Sequence, residues 1–131
     1  MDHITQTTQN CIDECNACHD TCMSCIDHCL TLGGAHAEVG HIRTMMDCAE
    51  ICRTAADFML RGSLLHGAIC RACSIACAAC AHSCRSLVGA HPDPHTGRKD
   101  SMMEDCANRC ESCAGSCDLT ANSAELPRVA A

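Results

Sequence analysis

Aromatic side chains are almost missing from this chain of 131 residues: it has no Trp, no Tyr and a single Phe. That scarcity excludes a core built on large rings and leaves no stacking platform for nucleic-acid bases. Basic residues are also few, nine Lys and Arg against sixteen Asp and Glu, for a net charge of -7 with His neutral. Without a basic stripe, no nucleic-acid partner is expected. No apolar stretch approaches the roughly 20 residues of a membrane span, so no membrane role is expected either. The opening Met1-Asp2-His3-Ile4-Thr5-Gln6 shows neither the basic nor the apolar part of a secretory leader. The expectation is a cytoplasmic protein, where thiols stay reduced.

Cysteine is what the chain has in excess. Seventeen of 131 residues are Cys, about 13%, which exceeds the roughly 8–10% that already marks a special scaffold. Cysteine inflates the hydrophobic fraction of 47%. Its small side chains bury modest apolar area, at about 25 cal/mol per Å², so metal or partner subunits are expected to help hold the fold. The positions follow a rhythm. Cys11, Cys15, Cys18, Cys22, Cys25 and Cys29 step by four and three in alternation. Cys70, Cys73, Cys77, Cys80 and Cys84 do the same, as do Cys106, Cys110, Cys113 and Cys117. Alternating three- and four-residue steps trace the inward seam of a packed helix, where Leu or Ile normally sits.

Punctuation divides the chain into four helices, approximately 5–32, 39–61, 64–88 and 101–124, in a single domain 1–131 with a loose tail 125–131. Gly33-Gly34, Gly62 and Gly89 read as stops, and Ser63 reads as the N-cap of the third helix. Ser101 with Glu104 three residues on reads as a capping box opening the fourth. Continuing the same steps through the second helix gives His41, Met45, Cys48, Cys52, Ala55 and Met59. Short connections imply antiparallel neighbours, so the expected fold is all-α, an antiparallel four-helix bundle with a Cys-lined core.

Thiols three and four apart on a helix have Cβ atoms about 5–6 Å from each other and can converge on one ion. Soft thiolates select Cu(I) and Zn(II). Zinc wants a closed set of four ligands, which straight ladders are not expected to offer as discrete groups. Iron–sulfur clusters need looped Cys spacings that never occur here. Cu(I) accepts two or three ligands and lets neighbouring ions share a sulfur, so multiple Cu(I) ions per chain fit best. A disulfide scaffold is disfavoured, because neighbours on one helix cross-link nothing distant and an odd count leaves one thiol over.

Weaker donors gather where the first helix meets the second and the third meets the fourth. His36, His41, Met45 and Met46 lie at one turn, and His91, Met102 and Met103 at the other. Antiparallel topology puts both at one end, forming a mouth that could pass ions to the thiols. Against this, seam Met often only fills gaps, and a helix-end His often only answers the dipole. His19, His28 and His82 read as surface or interface residues, and His3 and His95 as solvent-exposed. Asp13, Glu14, Asp20, Asp27 and Glu111 read as a solvated face. Ile12 and Ile75 read as flanking or outward positions hinting at subunit contacts.

The residues resemble the bacterial copper storage proteins, specifically their cytosolic branch. The likeness rests on the Cys11–Cys29 ladder, on Asp47-Cys48-Ala49-Glu50-Ile51-Cys52, and on the Cys70–Cys84 and Cys106–Cys117 ladders, covering roughly residues 5 to 120. It implies a four-helix bundle, often a homotetramer, whose cysteines hold many Cu(I) ions behind an open end lined by Met and His; His36, Met45 and Met46 occupy comparable places. The function expected is cytoplasmic Cu(I) storage by a binding protein that is not an enzyme, with a copper chaperone as a possible partner. The alternative is a thiol redox sensor or a zinc-buffering, metallothionein-like protein.

Overall fold

A computed structural model of the protein describes residues 4–93 and 96–124. His3, His95 and the tail 125–131 lie outside the described residues. Four helices follow in order: α1 (Gln6–Leu32), α2 (Val39–Leu60), α3 (His66–Ala90) and α4 (Ser101–Ser123). A short 3₁₀ turn, Gly34–Ala37, lies between α1 and α2.

Each end has a local cause. Thr5 caps α1 by accepting from the Thr8 N–H at 3.1 Å, and Gly33 closes it at a φ of 71°, returning its N–H to the Cys29 carbonyl. That left-handed conformation is open to glycine at little cost. Glu38 caps α2 through the N–H groups of Gly40 and His41. These hydrogen bonds hold its carboxyl below the ordinary range.

Three boundaries depart from the sequence expectation. Ser63 does not cap α3. Its hydroxyl accepts from Leu65 N–H and its carbonyl from His66 N–H, which makes a tight turn and delays the helix to His66. Gly89 does not stop α3, because it keeps a helical φ and the helix runs on to Ala90. Asp100 rather than Ser101 caps α4, its Oδ1 accepting from Met102 N–H at 3.1 Å and Met103 N–H at 3.2 Å. Asp and Ser are equally good N-caps, so sequence alone could not separate adjacent candidates.

The helices form a ring in which α1 packs on α2 and α4, and α3 packs on α2 and α4. Cross-helix contacts run in opposite senses along each neighbouring pair. Cys11 at the start of α1 meets Cys117 near the end of α4, and Cys29 near the end of α1 meets His41 near the start of α2. Cys48 meets Cys77 while Cys52 meets Cys73, and Arg71 and Arg85 of α3 pair with Asp118 and Glu111 of α4. The bundle is therefore antiparallel throughout. Gly67 lets α3 approach Ala124 closely, since a Cβ there would lie 2.7 Å from the alanine methyl.

Every one of the seventeen cysteines is buried and free. All six positions of the α2 seam, His41 to Met59, are buried as well. Ile12, expected at the margin, is buried in the core, whereas Ile75 is exposed as expected. A globular helix hides a wider stripe than the two-residue seam, and Ile12 falls inside it next to Cys11. Contrary to the reading of the sequence, one helix, α3, is long and apolar enough to cross a membrane, with a mean hydropathy of 1.3 in its best window. Its five buried cysteines supply much of that value.

Candidate metal centre

Because the seams face one another, sulfur meets sulfur across helices. Cys15 lies 3.7 Å from both Cys117 and Cys113. Cys18 approaches Cys110 at 3.7 Å and Cys48 at 3.8 Å. Cys48 stands 3.6 Å from Cys77, and Cys52 lies 3.5 Å from Cys77 and 3.7 Å from Cys73. Cys22 reaches Cys110 at 3.7 Å. The contacts run from the Cys11 end of the bundle to its middle with few breaks.

Several groups have all their sulfurs within 4.8 Å of one another. Four hold four thiols: Cys15, Cys52, Cys73 and Cys113; Cys18, Cys22, Cys48 and Cys110; Cys18, Cys48, Cys52 and Cys77; Cys22, Cys80, Cys106 and Cys110. A fifth holds Cys11, Cys15 and Cys117. This corrects the expectation that ladders offer no discrete sets of four: three or four helices contribute one or two thiols each, and the set closes across the bundle. The sets overlap, however. Cys15, Cys18, Cys22, Cys48, Cys52 and Cys110 each belong to two of these five, so no more than three of the five can be filled independently.

Protonation follows burial and sulfur–sulfur contact. Burial, with the Asp100 charge adding to it, pushes the Cys29 thiol up to about 12. Hydrogen bonding to Cys11, then burial, puts Cys70 at about 12 as well. Hydrogen bonding to Cys106, then burial, raises Cys25, and hydrogen bonding to Cys106 and Cys80, then burial, raises Cys84. Within the network, contact with Cys110 holds Cys18 and Cys48 down. Cys110 itself is raised by its bonds to Cys106 and the others around it. At neutral pH the metal-free interior is thus rich in protonated thiols.

The seven donors expected at the mouth separate into three groups. His41, Met45 and Met103 are buried. His41 Nε2 lies 3.4 Å from Cys29 Sγ, and Met103 Sδ lies 3.6 Å from the same sulfur. Ser83 holds the other His41 nitrogen at 2.7 Å, and burial lowers the imidazole pKa. A neutral ring keeps a lone pair for a metal. Met46 and Met102 are exposed on the outside of the bundle, although the Met102 carbonyl accepts from the Cys25 S–H at 3.6 Å. His91 is exposed past the end of α3, its ring edge-on to His36 at 6.4 Å.

His36 is buried, and its partner is a carboxylate. Its Nε2 bonds Asp100 Oδ2 at 3.0 Å, and His28 Nε2 bonds the same oxygen at 2.9 Å. Asp100 is 1% exposed. Burial works to raise its carboxyl, but hydrogen bonds from His28, the Met103 N–H and His36 outweigh that and leave it below the ordinary range. Sequence reasoning missed Asp100 and read His28 as a surface or interface residue. The available signal was an Asp directly before a helix start, which the adjacent Ser101 obscured.

A family model described as copper storage protein (Csp) matches residues 4–122. An uncharacterised cysteine-rich protein of Bacillus subtilis, YhjQ, is 32% identical over 105 residues, which are 80% of this chain and 94% of that relative. Among solved structures, a protein from Nitrosospira multiformis is 42% identical with a TM-score of 0.76, covering 89% of this chain and 96% of that one. A Cu(I)-bound copper storage protein, BsCsp3, is 31% identical with a TM-score of 0.74, covering 88% of this chain and 99% of its own. A match over nearly the whole described bundle, with thiols packed through its interior, settles the family: the chain belongs to the copper storage proteins.

Proposed function

We propose that this protein stores Cu(I) as cargo, many ions per chain, bound by Cys11, Cys15, Cys18, Cys22, Cys25, Cys29, Cys48, Cys52, Cys70, Cys73, Cys77, Cys80, Cys84, Cys106, Cys110, Cys113 and Cys117. The observation that carries the reading is the overlap of the thiol sets. An ion that needs four private ligands wastes shared sulfurs, whereas Cu(I), content with two or three soft donors, uses bridging ones. Each Cu⁺ that displaces one thiol proton leaves the charge of the interior unchanged, so the bundle can fill without accumulating repulsion. The Cu(I)-bound relative supports the choice of metal.

His41, Met45 and Met103 are the donors through which ions reach Cys29; the exposed Met46, Met102 and His91 lie farther out, and His36 faces Asp100. Storage is binding without turnover, and the protein is not an enzyme. The cytoplasm suits it, since reduced thiols persist there. The exposed Met23, Leu30, Ile75 and Leu119 suit a homo-oligomer, a tetramer by family likeness, and a copper chaperone is the natural donor or acceptor at the mouth. One observation favours a second reading: the four-thiol sets also suit tetrahedral zinc, which would make the protein a zinc buffer.

Anaerobic titration against a chromophoric chelator separates the two. Storage expects tight uptake of about ten or more Cu(I) per chain, from one soft ion per one or two shared thiolates. Cu(I) saturation at three or fewer, with tighter zinc binding at the same count, would overturn it.

A further inference from the structure

We propose that His28, His36 and Asp100 form a single divalent-cation site separate from the thiol interior. The three donors come from the end of α1, the 3₁₀ turn and the cap of α4, and they meet at one atom. Both imidazole Nε2 atoms lie against Asp100 Oδ2, at 2.9 and 3.0 Å. The two rings stand edge to face, perpendicular, with centroids 6.0 Å apart. All three side chains are largely hidden, with 14% of His28, 6% of His36 and 1% of Asp100 exposed.

The donor chemistry sets this cluster apart from the rest of the molecule. Two imidazole nitrogens and a carboxylate oxygen suit a borderline divalent ion such as Zn²⁺, whereas the carboxylate is a poor partner for Cu(I). Bonds of about 2.0–2.2 Å to zinc would place neighbouring donors of a tetrahedron roughly 3.3–3.6 Å apart. The two nitrogen-to-oxygen separations, 2.9 and 3.0 Å, need to open by only about half an ångström. A lone pair at each Nε2 is available once its proton moves to Nδ1 or leaves, so metal uptake replaces the protons that now bridge to Asp100.

Room for the remaining ligands exists beside the cluster. A cleft of about 530 Å³ opens there, lined among others by Asp27, His28, Asp93 and Asp100. Water can complete the coordination from that side, and the acidic lining favours a cation over an anion. A bound ion would tie the 3₁₀ turn to both α1 and α4, bracing the end of the bundle where His41 and Met103 stand.

The test uses the whole protein with its thiols first saturated by Cu(I) under anaerobic conditions. Zinc is then titrated against a chromophoric zinc indicator. The wild type should take up one further Zn²⁺ per chain, and its zinc X-ray absorption should show nitrogen and oxygen neighbours at about 2.0–2.2 Å with no sulfur shell near 2.3 Å. Asp100→Asn keeps a capping side chain, and His28→Gln keeps a polar group without touching the cap. Each should weaken that zinc at least tenfold, since even indirect partners of a metal ligand are worth about 10–100-fold. Helical circular dichroism of both variants should match wild type. Zinc uptake by the wild type no tighter than by either variant, or zinc held through sulfur, overturns the proposal. The preceding Cu(I) step reads the storage function separately, and the difference between wild type and Asp100→Asn reads this site whatever that step returns.

Discussion

Replacing Asp100 by Ala should cost the metal-free bundle about 3 kcal/mol, well beyond what a loop position usually costs. The figure is built from three losses. The cap on Met102 N–H and Met103 N–H disappears, worth about 1 kcal/mol. The His28 and His36 nitrogens lose the oxygen they share, and a buried donor left without a partner costs about 1–3 kcal/mol. His28 keeps some access to water, which places its share at the low end. Asp100→Asn should cost about 1 kcal/mol, because Asn caps as well as Asp. Ser101→Ala should cost under about 0.5 kcal/mol, since its exposed side chain is not the cap. Urea unfolding of the reduced, metal-free protein measures all three. For a chain of this size 1 kcal/mol corresponds to roughly 3–5 °C, so Asp100→Ala should melt about 10 °C or more below wild type. The pH dependence carries a sign. The folded carboxyl sits below its ordinary value, so its contribution is complete above the unfolded pKa near about 4 and fades as pH falls through the folded one. The gap between wild type and Asp100→Ala should therefore narrow in acid. Equal midpoints for Asp100→Ala and Ser101→Ala at neutral pH would refute the reasoning.

Two further predictions concern the thiols and their access. Replacing His41, Met45 and Met103 together, by residues of similar size without donor atoms, should slow Cu(I) uptake in stopped-flow mixing while leaving the final count unchanged; a lower count at an unchanged rate would count against the mouth. The metal-free protein should lose stability as pH rises above about 9, because Cys29 and Cys70 are held near 12 in the fold and ionise more readily once unfolded. Cu(I)-loaded protein should resist that alkaline loss, its thiolates being tied to metal, and thermal melts across pH 8 to about 11 compare the two forms.

Much of the architecture was legible from cysteine spacing alone. The alternating steps of three and four dictated a helix, its buried face and the identity of the residues on that face, down to the sparse α2 seam of His41, Met45, Cys48, Cys52, Ala55 and Met59. These are local properties: a helix turns by the same amount at every residue, so a run of a few turns tells which side chains share a side. Glycine at Gly33 and Gly62 marked turns for the same local reason.

What lay beyond reach depended on how one helix sits against another. Whether Cys52 meets Cys73, Cys77 and Cys113 follows from the rotation and axial register of three helices, which no single helix encodes. The closed sets of four thiols arise there, and so does the overlap between them. Asp100 shows the limit most plainly. It stands 72 and 64 residues along the chain from His28 and His36, and adjacent capping residues compete in the sequence on equal terms. Sequence determined that the interior would be thiol, because helical periodicity is local. Only the packing of the four helices decided which thiols share an ion and which histidines leave them for a carboxylate, because those contacts are made between segments distant along the chain.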